Sequence, residues 1–217
     1  MIRRLFGALG IATLVAIPAF AQAKPGVAIS PFFGVTIPMQ DLLLRPGLVA
    51  GVDQEKQSVL GVVGGRISVG LSPRIELEAE LGYGTSGLKI STLSSPSGTD
   101  VKLLTMSGRI AYRVKPVIEP FWLTVQAGVG AVNRKFSENS GLPSAIGNKT
   151  NVGGVIGTTL GFRATDRLAV VIGVDAFVYN ASFDVAATGS QPAGTTQSLT
   201  QTDLRLSLGV RVPLLGL

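Results

Sequence analysis

Residues 74–84 read Arg-Ile-Glu-Leu-Glu-Ala-Glu-Leu-Gly-Tyr-Gly. The odd-numbered positions of this stretch carry apolar side chains, and the even-numbered positions carry arginine, glutamate or glycine. Because successive side chains of a β-strand point to opposite faces, this period of two predicts a strand with one apolar face and one polar or small face. In a helix, the same glutamates would be scattered around the whole cylinder.

Seven further segments repeat the alternation with varying regularity. Each has about 11 to 13 residues, slightly more than the roughly 9–11 residues that a tilted strand needs to cross a bilayer. The eight predicted strands are residues 27–37, 59–71, 74–84, 104–114, 121–132, 152–163, 168–179 and 202–214.

The connections between these segments alternate between short and long. The short ones are residues 72–73, 115–119 and 164–167, and the long ones are residues 38–58, 85–103, 133–151 and 180–201. This alternation and the even number of strands predict an all-β fold, an eight-stranded antiparallel up-and-down transmembrane β-barrel. Outer-membrane barrels carry their short turns in the periplasm, so both chain ends are expected there and four loops outside.

The distribution of charge predicts which face of the barrel meets lipid. In all eight segments the charged side chains lie on the polar or small face, and the other face carries none. Turning Arg66 or Arg109 toward the bilayer midplane would cost about 2–4 kcal/mol each. We therefore expect the apolar face to point outward into lipid. The alternative, a soluble ligand-binding barrel, would have its apolar face inward.

The charged residues of the inward face are expected to pair, because a buried charge without a partner is strongly destabilising. The predicted ion network of the lumen is Arg66, Glu78, Glu80 and Arg109 at mid-depth, with Asp175, Asp203 and Arg205 in a smaller network nearer the loops. Such a network either fills the core of a narrow barrel or gates a pore. We favour core filling, because eight strands leave an interior just wide enough for side chains.

Aromatic residues lie near the predicted strand ends, where a membrane girdle is expected. They are Tyr83, Tyr112, Trp122, Phe162 and Tyr179. Trp122 falls on the inward face, so an alternative position for its ring is inside the periplasmic end of the barrel.

Residues 1–23 have the features of a signal peptide. Arg3 and Arg4 give a positive start, residues 5–20 are apolar and uncharged, and Ala21-Gln22-Ala23 matches a cleavage site. The apolar stretch contains Pro18 and is shorter than the roughly 20 residues of a spanning helix. We predict a signal peptide at residues 1–23 and one outer-membrane barrel domain at residues 24–217.

Composition excludes several classes of function. The chain has no cysteine and no histidine, which excludes thiolate and histidine metal sites, Ser-His-Asp hydrolysis and imidazole base catalysis. We therefore expect no enzymatic activity, including lipid modification, and no metal or cofactor. The formal net charge of +6 is spread along the chain without a basic tract, so no nucleic-acid partner is expected.

The signal peptide, the strands at residues 74–83 and 121–130 and the C-terminal strand together resemble the outer-membrane β-barrel family that includes the opacity proteins and the transmembrane domain of outer-membrane protein A. The resemblance covers the whole chain after residue 23. It implies a monomer in a bacterial outer membrane, surrounded by outer-membrane lipid, and it implies the architecture rather than a particular activity.

In that family the last strand carries an assembly signal of the form polar-x-Gly-x-x-apolar-x-aromatic. Ser207, Gly209, Val212 and Leu214 match this pattern, except that Leu214 replaces the aromatic residue and the chain continues to Leu217. The match implies transient recognition by the barrel-assembly machinery.

The favoured function is that of a non-enzymatic outer-membrane barrel with a structural role or with surface-exposed loops that contact the environment or a host. The alternative is a small pore or carrier for ions or apolar solutes. A pore would need a continuous lumen, and a carrier would need a lumen or a lateral opening in the wall.

Overall fold

The computed structural model describes residues 26–40, 52–57, 59–92, 97–114, 120–136, 149–185 and 195–215. The described residues form nine strands: β1 Val27–Pro38, β2 Val52–Gln57, β3 Leu60–Gly70, β4 Ile75–Thr92, β5 Ser97–Arg113, β6 Phe121–Phe136, β7 Lys149–Thr165, β8 Leu168–Val185 and β9 Thr195–Leu215. Within these ranges no helix is long and apolar enough to span a membrane. The predicted signal peptide lies outside the described residues.

The eight long strands close into an antiparallel barrel. Strand β1 pairs with β3 on one side and with β9 on the other, and each later strand pairs with the next along the chain. Neighbours in space are thus neighbours in sequence, which is the up-and-down order. The predicted fold class is confirmed.

Strand β2 was not predicted, because it lies within the expected loop at residues 38–58. It pairs with the part of β4 that extends past β3, with Gln57 opposite Leu88 and Val52 opposite Thr92. The β4–β5 and β8–β9 hairpins also continue beyond the expected strand ends, to the pairs Ile90–Ser97 and Val185–Thr195. Strands that pair beyond the membrane do not need an apolar outer face. The alternation of apolar and polar residues therefore ends before the strands end.

The apolar face points outward, as predicted. Phe33 and Val63 are each 60% exposed, whereas Arg66 and Arg109 are buried. We call the exposed apolar wall the apolar belt; it includes Ile29, Phe33, Val63, Ile67, Leu81, Met106, Ile110, Val125, Val129, Ile156, Leu160, Ile172, Val174, Leu206 and Leu208. A soluble barrel would bury this face, so the belt identifies a transmembrane wall.

The turn between β3 and β4 comes directly before the alternating residues of β4 and reverses the chain tightly. The Ser72 hydroxyl accepts hydrogen bonds from the backbone N–H groups of Arg74 and Ile75. Arg74 is exposed in this turn and does not belong to the strand. The local side-chain bond fixes the register from which Glu76, Glu78 and Glu80 all point inward.

Several inward positions require glycine because the backbone of the neighbouring strand approaches them closely. A Cβ built at Gly34, Gly128 or Gly153 would overlap a backbone carbonyl oxygen of the neighbouring strand. These glycines bring the walls close enough for the remaining inward side chains to fill the lumen. The inward side chains then determine what the barrel can do.

Candidate functional site

Five buried charged side chains meet in the middle of the barrel, and we call them the central ion cluster: Arg66, Glu80, Arg109, Asp175 and Arg205. Each of the two carboxylates contacts all three arginines. Glu80 lies 2.6 Å from Arg66 Nε, 2.7 Å from Arg109 Nη2 and 2.5 Å from Arg205 Nη2. Asp175 lies 2.8 Å from a guanidinium nitrogen of each arginine.

Neutral side chains add hydrogen bonds to the central ion cluster. Gln126 Nε2 donates to Asp175 Oδ1 at 2.6 Å, and Arg109 Nε donates to Ser107 Oγ at 2.9 Å. The five charged side chains are at most 6% exposed. Strands β3, β4, β5, β8 and β9 supply the charges, so the cluster ties opposite walls of the barrel together.

The structure groups the residues of the predicted ion network differently from the prediction. Asp175 and Arg205 belong to the central ion cluster and not to a separate network nearer the loops. Glu78 is half-buried, and its Oε2 atom has no hydrogen-bond partner. A guanidinium lies several ångströms from its own Cα, and two residues along a strand span about 7 Å. Position along the strands therefore did not show which inward side chains meet.

A second cluster lies nearer the loops and contains Asp203. Arg134 Nη2 lies 2.6 Å from Asp203 Oδ2, and the Tyr179 hydroxyl donates to the same oxygen at 2.7 Å. The Arg134 guanidinium also stacks 5.3 Å from the centre of the Tyr179 ring. Sequence reasoning missed Arg134 because its predicted strand ended at residue 132, and it placed Tyr179 in the girdle, whereas the ring is buried in the lumen.

A third cluster lies at the turn end of the lumen. Glu76 accepts hydrogen bonds from Arg113 Nη2 and Arg211 Nη1, both at 2.9 Å. The Arg113 guanidinium lies 5.8 Å from the centre of the Trp122 ring. Trp122 is buried with Ala169 and Val171 as an apolar floor, which is the interior alternative that its parity predicted.

Apolar side chains fill part of the lumen on the loop side of the central ion cluster, where a polar interior was expected. We call this group the apolar interior layer: Phe32, Leu60, Val62, Val101, Leu103, Val132, Val155, Phe177, Tyr179 and Ala181. The rings of Phe32 and Phe177 lie 5.1 and 4.8 Å from the Arg205 guanidinium. Aromatic faces therefore cover the central charges on this side.

The chemistry of these clusters is that of ion pairing and packing. The carboxylates accept hydrogen bonds from permanently charged arginines, which leaves them poorly suited to proton transfer. Among the residues whose positions are described, no group of three or more aspartate, glutamate, histidine or cysteine side chains could hold a metal ion. Among the described residues, these clusters therefore link the strands that surround the lumen.

Comparison with known proteins gives likeness of fold at low sequence identity. No family model and no curated protein matches the chain. The outer-membrane protein OprG from Pseudomonas aeruginosa has a TM-score of 0.63 at 11% identity, over 88% of this chain and 97% of OprG. AlkL, an outer membrane protein solved in lipid bilayers, has a TM-score of 0.58 at 16% identity over 88% of this chain and 91% of AlkL.

The outer membrane protein W of E. coli is similar as well, with a TM-score of 0.51 at 12% identity over 89% of this chain and 100% of that protein. These likenesses extend over nearly the whole described barrel and agree with the exposed apolar belt. They also agree with the expectation that the barrel lies in a bacterial outer membrane and with the family resemblance seen in the sequence. The chain therefore has the fold of the bacterial outer-membrane β-barrels and is a transmembrane member of that architecture.

Proposed function

We propose that this chain is a non-enzymatic outer-membrane barrel, closed to ions, that acts through its membrane wall and its surface-exposed loops. The observation that carries the proposal is the central ion cluster. Its two carboxylates and three arginines join β3, β4 and β5 on one side of the lumen to β8 and β9 on the other. A continuous aqueous path would have to cross this layer.

Opening such a layer is energetically costly. Breaking a buried ion pair by removing or displacing one partner typically costs about 3–5 kcal/mol, because the other charge stays buried without compensation. Glu80 and Asp175 each hold three arginines, so a hydrated ion would have to displace several contacts together. The apolar interior layer adds a second barrier to ions on the loop side.

Single-channel recording in planar bilayers tests the closed state. We expect no discrete conductance from the unmodified barrel and small openings from Arg109→Ala or Glu80→Ala, since each variant removes contacts from the central ion cluster. Arg167→Ala, in the exposed turn between β7 and β8, is the matched control and should stay closed. Steady ohmic conductance of the unmodified barrel would contradict the proposal.

A second candidate function, a carrier for apolar solutes, is favoured by the apolar interior layer. This layer lines the loop half of the lumen with apolar side chains, the lining that apolar ligands favour, and a solute would have to separate these buried side chains to bind. The central ion cluster closes the path toward the turns, so a solute that enters from the loops would have to leave sideways between strands. The carrier and the closed barrel are compatible, because neither requires a conducting lumen.

Photolabelling with an apolar diazirine tests the carrier. We expect adducts on the apolar interior layer as well as on the apolar belt, and Val62→Thr should reduce interior labelling about tenfold because a hydroxyl is poorly tolerated beside an apolar ligand. Val63→Thr is the matched control, since Val63 is the next residue of β3 and faces outward. Adducts confined to the belt would exclude the carrier.

A further inference from the structure

Two lysines lie side by side on the outer wall of the barrel. Lys102 of β5 and Lys135 of β6 are direct partners across the β5–β6 ladder, near the loop ends of both strands. Both are exposed, while their chain neighbours Leu103 and Arg134 are buried in the lumen. Lys102 and Lys135, which we call the lysine pair, therefore point away from the barrel.

Nothing in the described structure balances the two charges. Like charges directly opposite on a sheet destabilise it, and neither lysine has an ion-pair partner among the described residues. The nearby outward side chains Asn133 and Thr150 are neutral and hydrogen-bond each other at 2.6 Å. This part of the wall thus presents two ammonium groups beside polar groups, an arrangement that suits an anion.

Below the lysine pair, and separated from it by the outward pair Leu104–Asn133, the wall is apolar. Met106 lies opposite Ala131 and Gly108 opposite Val129 on the same two strands. Met106 and Val129 are exposed, and a Cβ built at Gly108 would meet no atom within 4 Å. The lysine pair therefore sits at the upper edge of the apolar belt, above a strip with room for an acyl chain.

We propose that the lysine pair binds the phosphate group of a lipid head in the leaflet at the loop end, with the acyl chains along the strip below. A phosphate accepts hydrogen bonds from both ammonium groups and removes their mutual repulsion. The apolar strip adds contacts that a free anion would not make. The site rests on the proposed function, because only a barrel inserted in a membrane meets such lipids.

Binding of bis-phosphorylated lipid A to the barrel in neutral-detergent micelles tests the site, with native mass spectrometry as the readout. We expect the Lys102→Gln/Lys135→Gln variant to bind about 30-fold more weakly, which corresponds to about 1 kcal/mol for each lysine near an anionic lipid surface. Lys102→Arg/Lys135→Arg should retain binding. Arg74→Gln/Arg167→Gln, which removes two exposed cations at the turn end, should leave it unchanged.

Two further probes separate the parts of the site. Removing the phosphates from lipid A should weaken its binding to the unmodified barrel as much as the two glutamine substitutions weaken binding of intact lipid A. Inorganic phosphate should bind far more weakly than the lipid. Equal binding by the glutamine variant and the unmodified barrel, or by the two forms of lipid A, would overturn the proposal, as would inorganic phosphate binding as tightly as the lipid.

The proposed function can fail or hold independently of this site. Heat-modifiable gel mobility shows whether each variant has formed a barrel, so a loss of lipid binding is not confused with a loss of folding. Conductance of the unmodified barrel would contradict the closed-barrel proposal whatever the lipid result. A folded, non-conducting barrel that ignores lipid phosphate would overturn the lysine site alone.

Discussion

Replacing Asp175 with alanine is expected to lower the free energy of unfolding of the barrel by about 3–5 kcal/mol, the usual cost of removing one partner from a buried ion network. The Asp175 side chain is fully buried and accepts hydrogen bonds from Gln126 and from guanidinium groups of the central ion cluster. Its loss would leave Glu80 alone to balance Arg66, Arg109 and Arg205.

Urea titration of the barrel in lipid vesicles measures this change. Trp122 is the only tryptophan in the chain, so the fluorescence signal comes from a single site at the turn end of the barrel. Asp166→Ala is the matched control, because Asp166 is exposed in the turn between β7 and β8; its effect should stay within about 0.5 kcal/mol. A loss below about 1 kcal/mol for Asp175→Ala would mean that the cluster contributes little to stability.

The barrel itself could be predicted from the sequence because lipid imposes a simple rule on every strand. A wall with hydrocarbon outside and a filled lumen inside must alternate, and residues 74–84 show that alternation without exception. The same rule fails above the membrane. Beyond the membrane no rule requires one face to be apolar, which is why β2 and the ends of the β4–β5 and β8–β9 hairpins escaped prediction.

The partners inside the lumen could be predicted only in part. Parity showed that Arg66, Glu80 and Arg109 point inward, but it does not give the direction in which a long arginine side chain leans. Arg205 and Asp175 thus lie in the central ion cluster, although their Cα positions suggested a separate group. Glu78, which parity places equally well, has an Oε2 atom without a hydrogen-bond partner.

The apolar interior layer was missed for a related reason. Near the loops, inward positions such as Val62 and Leu103 pack against other apolar side chains inside the lumen. Both faces of the strand are then apolar, and periodicity cannot distinguish inside from outside. The signal peptide and the assembly signal of Ser207, Gly209, Val212 and Leu214 stay predictions, because neither depends on contacts within the barrel.

The floor of the barrel at the turn end gives a second large effect. Gly161 of β7 lies directly opposite Trp122 of β6, and a Cβ built at Gly161 would overlap the indole ring. Gly161→Val is therefore expected to destabilise the barrel by about 1–3 kcal/mol, the usual cost of overpacking. Displacement of the ring toward water should also shift Trp122 emission to longer wavelength. Gly154→Val, on the same strand but outward with no atom within 4 Å of its Cβ, should leave both properties nearly unchanged.

A double-mutant cycle identifies the cause of the Gly161 effect. Trp122→Ala alone should cost about 3–5 kcal/mol, because it empties the apolar floor beside Ala169 and Val171. In that background the Gly161→Val penalty should disappear, since valine would then fill part of the space left by the indole, and contacting residues commonly couple by about 0.5–3 kcal/mol. Heat-modifiable mobility replaces fluorescence as the readout in the chains without tryptophan. An undiminished penalty in the Trp122→Ala background would place the obstacle in the backbone of the neighbouring strands, and glycine would then be required there by the close approach of that backbone, as it is at Gly128 and Gly153.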